Sequence, residues 1–220
     1  MTARCAFVDV DETLVAQVTL FSLLLFDGAE RGVGGQARAH LAGLRSLRAR
    51  GVPRAVTNRA YYTWWQGRSL AEVAAAGRRW FARQLSEGGF FHEAVLADLA
   101  ARTSDGFAIV LVSGSFAPAL DPIAEHIGAA AVLCTDLESS AGRYTGVVRA
   151  TMLGPDKARA VAAYARAHGT DLGRSIAYGD HVSDAPMLDL AGERVVVGEG
   201  MPGYPATRSI RTGVSEPVDR

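Results

Sequence analysis

Short, continuous runs of apolar residues recur along the chain at positions 6–8, 107–112, 131–133, 175–178 and 194–197. They do not alternate with polar residues, so both faces are expected to be buried, as in strands inside a parallel sheet. Stretches of helical period separate most of them. Pro155–His168 opens on Gly-Pro and places Ala158, Val161, Ala162 and Ala165 on one stripe. Residues 183–191 read as another helix, closed by Gly192. The alternation predicts a doubly wound, mostly parallel α/β sheet of Rossmann type.

The first two runs are far apart in sequence. Between them, Leu41, Leu44 and Leu47 recur at near-helical spacing before Gly51-Val52-Pro53, and residues 69–85 carry a helical pattern of their own. No strand pattern interrupts this stretch. Residues 16–89 are therefore expected to form a small inserted α-helical cap, with residues 1–15 and 90–220 forming the α/β core. The stretch "DLESSAGRYTGVVR", residues 136–149, predicts a hairpin turning at Ala141-Gly142. The tail from Gly198, rich in Gly, Pro, Ser and Thr, reads as partly loose chain.

Composition adds bounds. A hydrophobic content of 49% is ample for a packed core in 220 residues. Cys5 and Cys134 are too few for a disulfide framework, which points to a reducing, cytoplasmic setting. No signal peptide is expected, because strand pattern starts almost at once, and the apolar run 18–26 is too short to span a bilayer. A formal net charge of +0 argues against a general nucleic-acid binder. The charge is nonetheless uneven. Residues 31–83 hold eleven Arg and one acid, Glu72, a balance of +10 that leaves −10 elsewhere. That is either a solvated helical surface or a basic module steering an anion toward an acidic one.

The acidic residues concentrate at strand ends. Asp9 and Asp11 follow the first run, Ser113-Gly114-Ser115 the second, and "GDHVSD", with Asp180 and Asp184, a later one. Each alone is an ordinary turn or helix cap. Together they occupy the carboxyl ends of strands, where open α/β sheets bind ligands. Clustered carboxylates repel one another, and a hard divalent ion relieves this; an oxygen-only donor set favours Mg2+ over zinc. With a cation present, one carboxylate can attack phosphorus while another manages protons. The amides after the second strand and the Ser113 hydroxyl would cradle phosphoryl oxygens. Lys157 is the only lysine among 23 Lys and Arg residues. It stands in the first turn of a helix, where the dipole disfavours a cation, and a compact ammonium over a phosphate gives a reason for it.

These clusters resemble, in order, the four motifs of the haloacid dehalogenase superfamily of phosphotransferases. "DVDET" is similar to DxDxT, Ser113 to the second motif, Lys157 to the third, and "GDHVSD" to GDxxxD. The resemblance covers residues 5 to about 197, and the helical insertion after the first motif resembles the subgroup that includes phosphoserine phosphatase. It implies a Mg2+-dependent phosphatase of a small phosphorylated metabolite, with a small-molecule phosphate ester as partner and neither nucleic acid nor membrane. By that resemblance Asp9 is the nucleophile that becomes an aspartyl-phosphate. Asp11 is the general acid and base, and its main-chain carbonyl joins Asp9 and Asp180 around Mg2+ while Asp184 supports the metal site. Ser113, Gly114 and Lys157 hold the phosphoryl group. A phosphotransferase or mutase sharing the same intermediate is the alternative, followed by a non-catalytic binding module.

The departures bear on substrate. Phosphoserine phosphatases carry a cap glutamate near the place of Val18, and their arginine-containing cap segment has no clear counterpart, so a substrate other than phosphoserine is expected. The stretch "NRAYYTWWQGR", residues 58–68, offers aromatic and cationic groups to a larger anion, or else packs the cap onto the core. On the first of these readings Arg59 and Arg68 face the substrate, while Arg45 and Arg48 lie on an outward helical face.

Overall fold

The computed structural model describes residues 3–212. Its strands are β1 (Cys5–Val8), β2 (Ala108–Ser113), β3 (Ala131–Cys134), β4 (Asp136–Ser140), β5 (Arg143–Ala150), β6 (Ile176–Gly179), β7 (Glu193–Val197) and β8 (Arg208–Ile210). Six of them form one sheet in the order β3-β2-β1-β6-β7-β8, every neighbouring pair parallel. β1 is central. Its side chains divide between two packed layers, Ala6 and Val8 on one face and Cys5 and Phe7 on the other. This is why its sequence is continuously apolar. The fold is α/β, as expected.

The helices are α1 (Thr19–Glu30), α2 (Gly34–Ala49), α3 (Arg54–Tyr62), α4 (Leu70–Glu87), α5 (Glu93–Ser104), α6 (Ala117–Ile127), α7 (Pro155–His168) and α8 (Ala185–Leu188). The first five lie between β1 and β2. Among the described residues, no helix is long and apolar enough to cross a membrane. Tyr61, Tyr62, Trp65 and Trp80 are fully buried. Tyr62 and Trp65 meet Phe116 at ring-centroid distances of 5.5 and 5.4 Å, tying α3 and the turn after it to the start of α6. Most of the 58–68 aromatics are thus packing residues.

β4 and β5 form the expected hairpin, and Ala141 (φ 50°) and Gly142 (φ 73°) both adopt the left-handed region that a tight two-residue turn demands. The hairpin extends onto the irregular segment before α4: Tyr144 N donates to Arg68 O at 2.9 Å, and Gly67 N to Tyr144 O at 2.8 Å.

One sequence reading is corrected. Residues 183–191 are not one helix. They hold a single 3-10 turn, Val182–Asp184, and the four-residue α8, because side-chain caps fold Asp184 into a turn. The tail from Gly198, expected to be partly loose, holds β8, which pairs in parallel with β7; residues 213–220 lie outside the described residues. A three-residue edge strand gives no readable period, and β8 is held by polar contacts. Asp98 accepts hydrogen bonds from Arg208 at 2.5 Å and Tyr178 at 2.6 Å.

Burial disfavours the Asp98 charge, but the Arg208 and Tyr178 hydrogen bonds outweigh it and hold its carboxyl below the ordinary range. A lowered native pKa gives stability that is present above the unfolded value, about 3.9, and lost as pH falls through the native one. Asp98→Asn should cost about 1–3 kcal/mol at neutral pH. In denaturant titrations the gap to wild type should close as the pH drops below about 4. A constant gap across that range would remove the charge from the account.

Candidate active site

The chain leaves β1 through a tight turn. Leu14 N and Val15 N both donate to Val10 O, at 2.9 and 3.0 Å, and Glu12 takes a left-handed φ of 62°. Asp9 thereby stays at the strand end while Asp11 reaches α1. Asp11 Oδ1 accepts the amide of Thr19, the first residue of α1, at 2.8 Å, which satisfies one of the helix's unpaired N–H groups and suits its dipole. Burial pushes the Asp11 carboxyl up to about 6.

Three separate elements bring groups to Asp9. Lys157 Nζ, from the first turn of α7, donates at 2.6 Å to Asp9 Oδ1 and at 2.6 Å to Asp184 Oδ1. Thr13 Oγ1 stands between Asp9 Oδ2 and Asp180 Oδ1, at 3.2 and 2.6 Å. Asp184 Oδ2 accepts the His181 amide at 3.2 Å, and His181 Nδ1 accepts the Ser183 amide at 3.1 Å, so His181 shapes the turn that presents Asp180 and Asp184. A Cβ on Gly179 would lie 2.7 Å from Asp184 Cβ, so glycine is required beneath this turn.

Carboxylate oxygens of Asp9, Asp180 and Asp184 lie within 4.8 Å of one another. Burial raises the pKa of all three, and the charges of neighbouring carboxylates add to the effect. Burial also disfavours the Lys157 charge, but Asp9 and Asp184 outweigh it and keep the ammonium protonated above its ordinary range. One ammonium does not compensate this many carboxylates. The cluster, all oxygen donors, therefore fits a hard divalent cation.

The turn after β2 is fixed from above and below. Gly114 O accepts Tyr62 Oη at 2.8 Å and Thr135 Oγ1 at 2.9 Å. A Cβ on Gly114 would meet Leu153 Cδ2 at 2.7 Å. Ser113 is buried, and its Oγ accepts the Ser115 amide at 3.1 Å.

A cavity of about 450 Å³ opens over the cluster and is lined by Asp9, Asp11, Gly114, Lys157, Asp180 and Asp184 among others. Of the sequence-predicted site residues, Ser113 alone is not in its wall. Arg59 and Arg68, expected on one reading to face the substrate, are not in the cavity wall. Arg68 is paired with buried Asp27 at 2.9 Å, and Arg59 donates to Val148 O at 2.9 Å. Arg45 and Arg48 are exposed, as expected of an outward face, yet both reach the lining of the cavity, as Arg54 does. Leu44, beside Arg45, is buried and lines the same cavity.

The sequence profile of the haloacid dehalogenase-like hydrolases matches residues 6–189 of this chain. The chain belongs to that family. This hydrolase is 40% identical over 85 residues to the inhibition of morphological differentiation protein of Streptomyces azureus, a match covering 38% of this chain and 31% of that protein. It is 37% identical over 102 residues to a probable phosphatase of Mycobacterium tuberculosis, covering 46% of this chain and 36% of the relative. The matched stretches thus span about a third of the length of these two relatives. In structure it resembles the phospho-aspartyl intermediate analogue of a phosphoserine phosphatase, with a TM-score of 0.67 at 20% identity over 96% of this chain and 94% of the other. At that identity the likeness is one of fold.

Thr13, Tyr62, Thr135 and the α2 arginines were not among the sequence-predicted site residues of this hydrolase. Thr13 had a signal, its place four residues after Asp9 in "DVDET". Tyr62 stands in the 58–68 stretch, but neither its role nor that of Thr135 had a signal, since both act on a backbone carbonyl that only the fold brings near them.

Proposed function

We propose that this hydrolase is a Mg2+-dependent phosphatase of a small phosphorylated metabolite, acting through an aspartyl-phosphate on Asp9. The observation that carries the reading is the sharing of Lys157 and Thr13 between Asp9 and the Asp180–Asp184 turn. A lone buried nucleophilic carboxylate would protonate; this one is held by an ammonium and a hydroxyl in a fixed orientation. The relative named a probable phosphatase, and the fold shared with a phosphoserine phosphatase, support the same reading.

In the first step an Asp9 carboxylate oxygen forms a bond to phosphorus as the ester P–O bond breaks. The Asp11 carboxyl, raised to about 6, gives its proton to the departing alcohol oxygen. In the second, Asp11 takes a proton from water, whose oxygen attacks phosphorus and releases inorganic phosphate with the Asp9 carboxylate restored. Gly114 and Lys157 line the cavity where the phosphoryl oxygens would rest, and Ser113 orders the turn carrying Gly114. Asp9, Asp180 and the Asp11 carbonyl would hold Mg2+, with Asp184 in support; when bound, the ion offsets their charge and draws electrons from the phosphoryl oxygens. Residues 16–89 act as the cap that excludes bulk water.

A phosphate-release screen over sugar, amino-acid, alcohol and nucleotide monophosphates with Mg2+ tests this. Release from at least one class is expected, and no release from any would favour a non-catalytic binding module.

A further inference from the structure

The basic surplus of residues 31–83 shrinks once partners are assigned. Arg31 and Arg68 pair with Asp27, Arg79 with Glu30 and Arg83 with Glu87. Arg59 is bound to a main-chain carbonyl and Arg54 to the Ser183 hydroxyl. The guanidinium groups of Arg45 and Arg48 make no ion pair among the described residues, and both line the cavity above the carboxylates. Three residues apart on α2, they occupy one helix face.

Val18, Leu20, Phe21, Leu44 and Leu153 give the wall an apolar part, beside polar groups of Thr57, Asn58, His181 and Ser183. A cavity of about 450 Å³ is far larger than a phosphoryl group requires and falls in the range of sites for whole organic ligands. The apolar part offers a hydrocarbon body desolvation. The two unpaired guanidinium groups offer a bidentate partner for a planar or tetrahedral anion.

We propose that the cavity takes a phosphate monoester whose organic part is mainly apolar and ends in a second anionic group, a carboxylate or phosphate, held by Arg45 and Arg48. This rests on the phosphatase reading above. Each buried methylene is worth about fourfold in affinity, so a few of them together set the preference for a longer organic part.

The test uses alkyl phosphates of one chain length ending in a methyl, a carboxylate or a second phosphate, with phosphoserine as the short polar reference. kcat/KM is measured on wild type. Dissociation constants are measured by calorimetry on the Asp9→Asn protein with Mg2+, which reads binding whether or not turnover occurs. The terminal-anion chains should exceed the methyl-ended chain by about threefold or more, and phosphoserine by about tenfold or more. Arg45→Glu and Arg48→Glu should each raise KM and Kd for the terminal-anion chains by roughly three- to tenfold with little change in kcat. The methyl-ended chain should be unaffected, and Arg50→Glu, outside the cavity wall, should change nothing. Whichever terminal anion binds more tightly identifies what the arginines read. Phosphoserine binding as tightly as any chain, or charge reversals without effect on Kd, would overturn the proposal. If no ester is turned over yet the binding pattern holds, the phosphatase reading fails and the ligand class stands; turnover without the pattern has the opposite meaning.

Discussion

Asp9→Asn should abolish phosphate release, with kcat falling by roughly three orders of magnitude or more, while the protein stays folded. The amide has nearly the shape of the carboxylate, so Lys157 and Thr13 keep a neighbour that can accept at one oxygen. What is lost is the nucleophile, since an amide oxygen does not form a stable bond to phosphorus. The fold should survive because the amide keeps the side chain's shape and Lys157 keeps its pair with Asp184. Phosphate release and thermal unfolding, measured on the same preparations, separate chemistry from folding. Near-wild-type turnover in the variant would remove Asp9 from the covalent role.

Chelation should have a comparable effect. EDTA should abolish activity and Mg2+ restore it, whereas Ca2+, with longer bonds and more ligands, should restore little. The same ion should act without any substrate present. A cation bound to the native carboxylates stabilises the fold by about 2.7 kcal/mol when present at roughly a hundred times its dissociation constant. The unfolding midpoint should therefore rise with Mg2+, and this increment should shrink in Asp180→Asn, which removes a charged donor from the cluster of Asp9, Asp180 and Asp184. Activity and stability both indifferent to EDTA would show that Lys157 alone balances these carboxylates.

The parallel core was legible because burial on both faces writes itself as apolar sequence, and β1, β2, β3, β6 and β7 each match such a run to within one residue at either end. β8 was not, because Arg208 and Ser209 carry no hydrophobic pattern and the strand owes its place to Asp98, more than a hundred residues earlier. The positions of Asp9, Asp11, Asp180, Asp184 and Lys157 were readable from their places at strand ends and a helix start, and the fold brings them to one cavity. The place of Arg68 was not legible, for a physical reason. Asp27 and Glu30 fall just outside the arginine-rich window, yet they pair with three of its members, Arg31, Arg68 and Arg79. Leu41 and Leu44 are buried as their spacing predicts, but local spacing does not show that a cavity edge lies beside Arg45 and Arg48.

The central claim is a covalent bond between Asp9 and phosphorus. Rapid acid quenching during turnover, followed by peptide mass spectrometry, reads it directly. The peptide containing Asp9 should carry one added phosphate in the wild-type protein and none in Asp9→Asn. An unmodified Asp9 peptide throughout steady turnover, or phosphate on a different residue, would contradict the account.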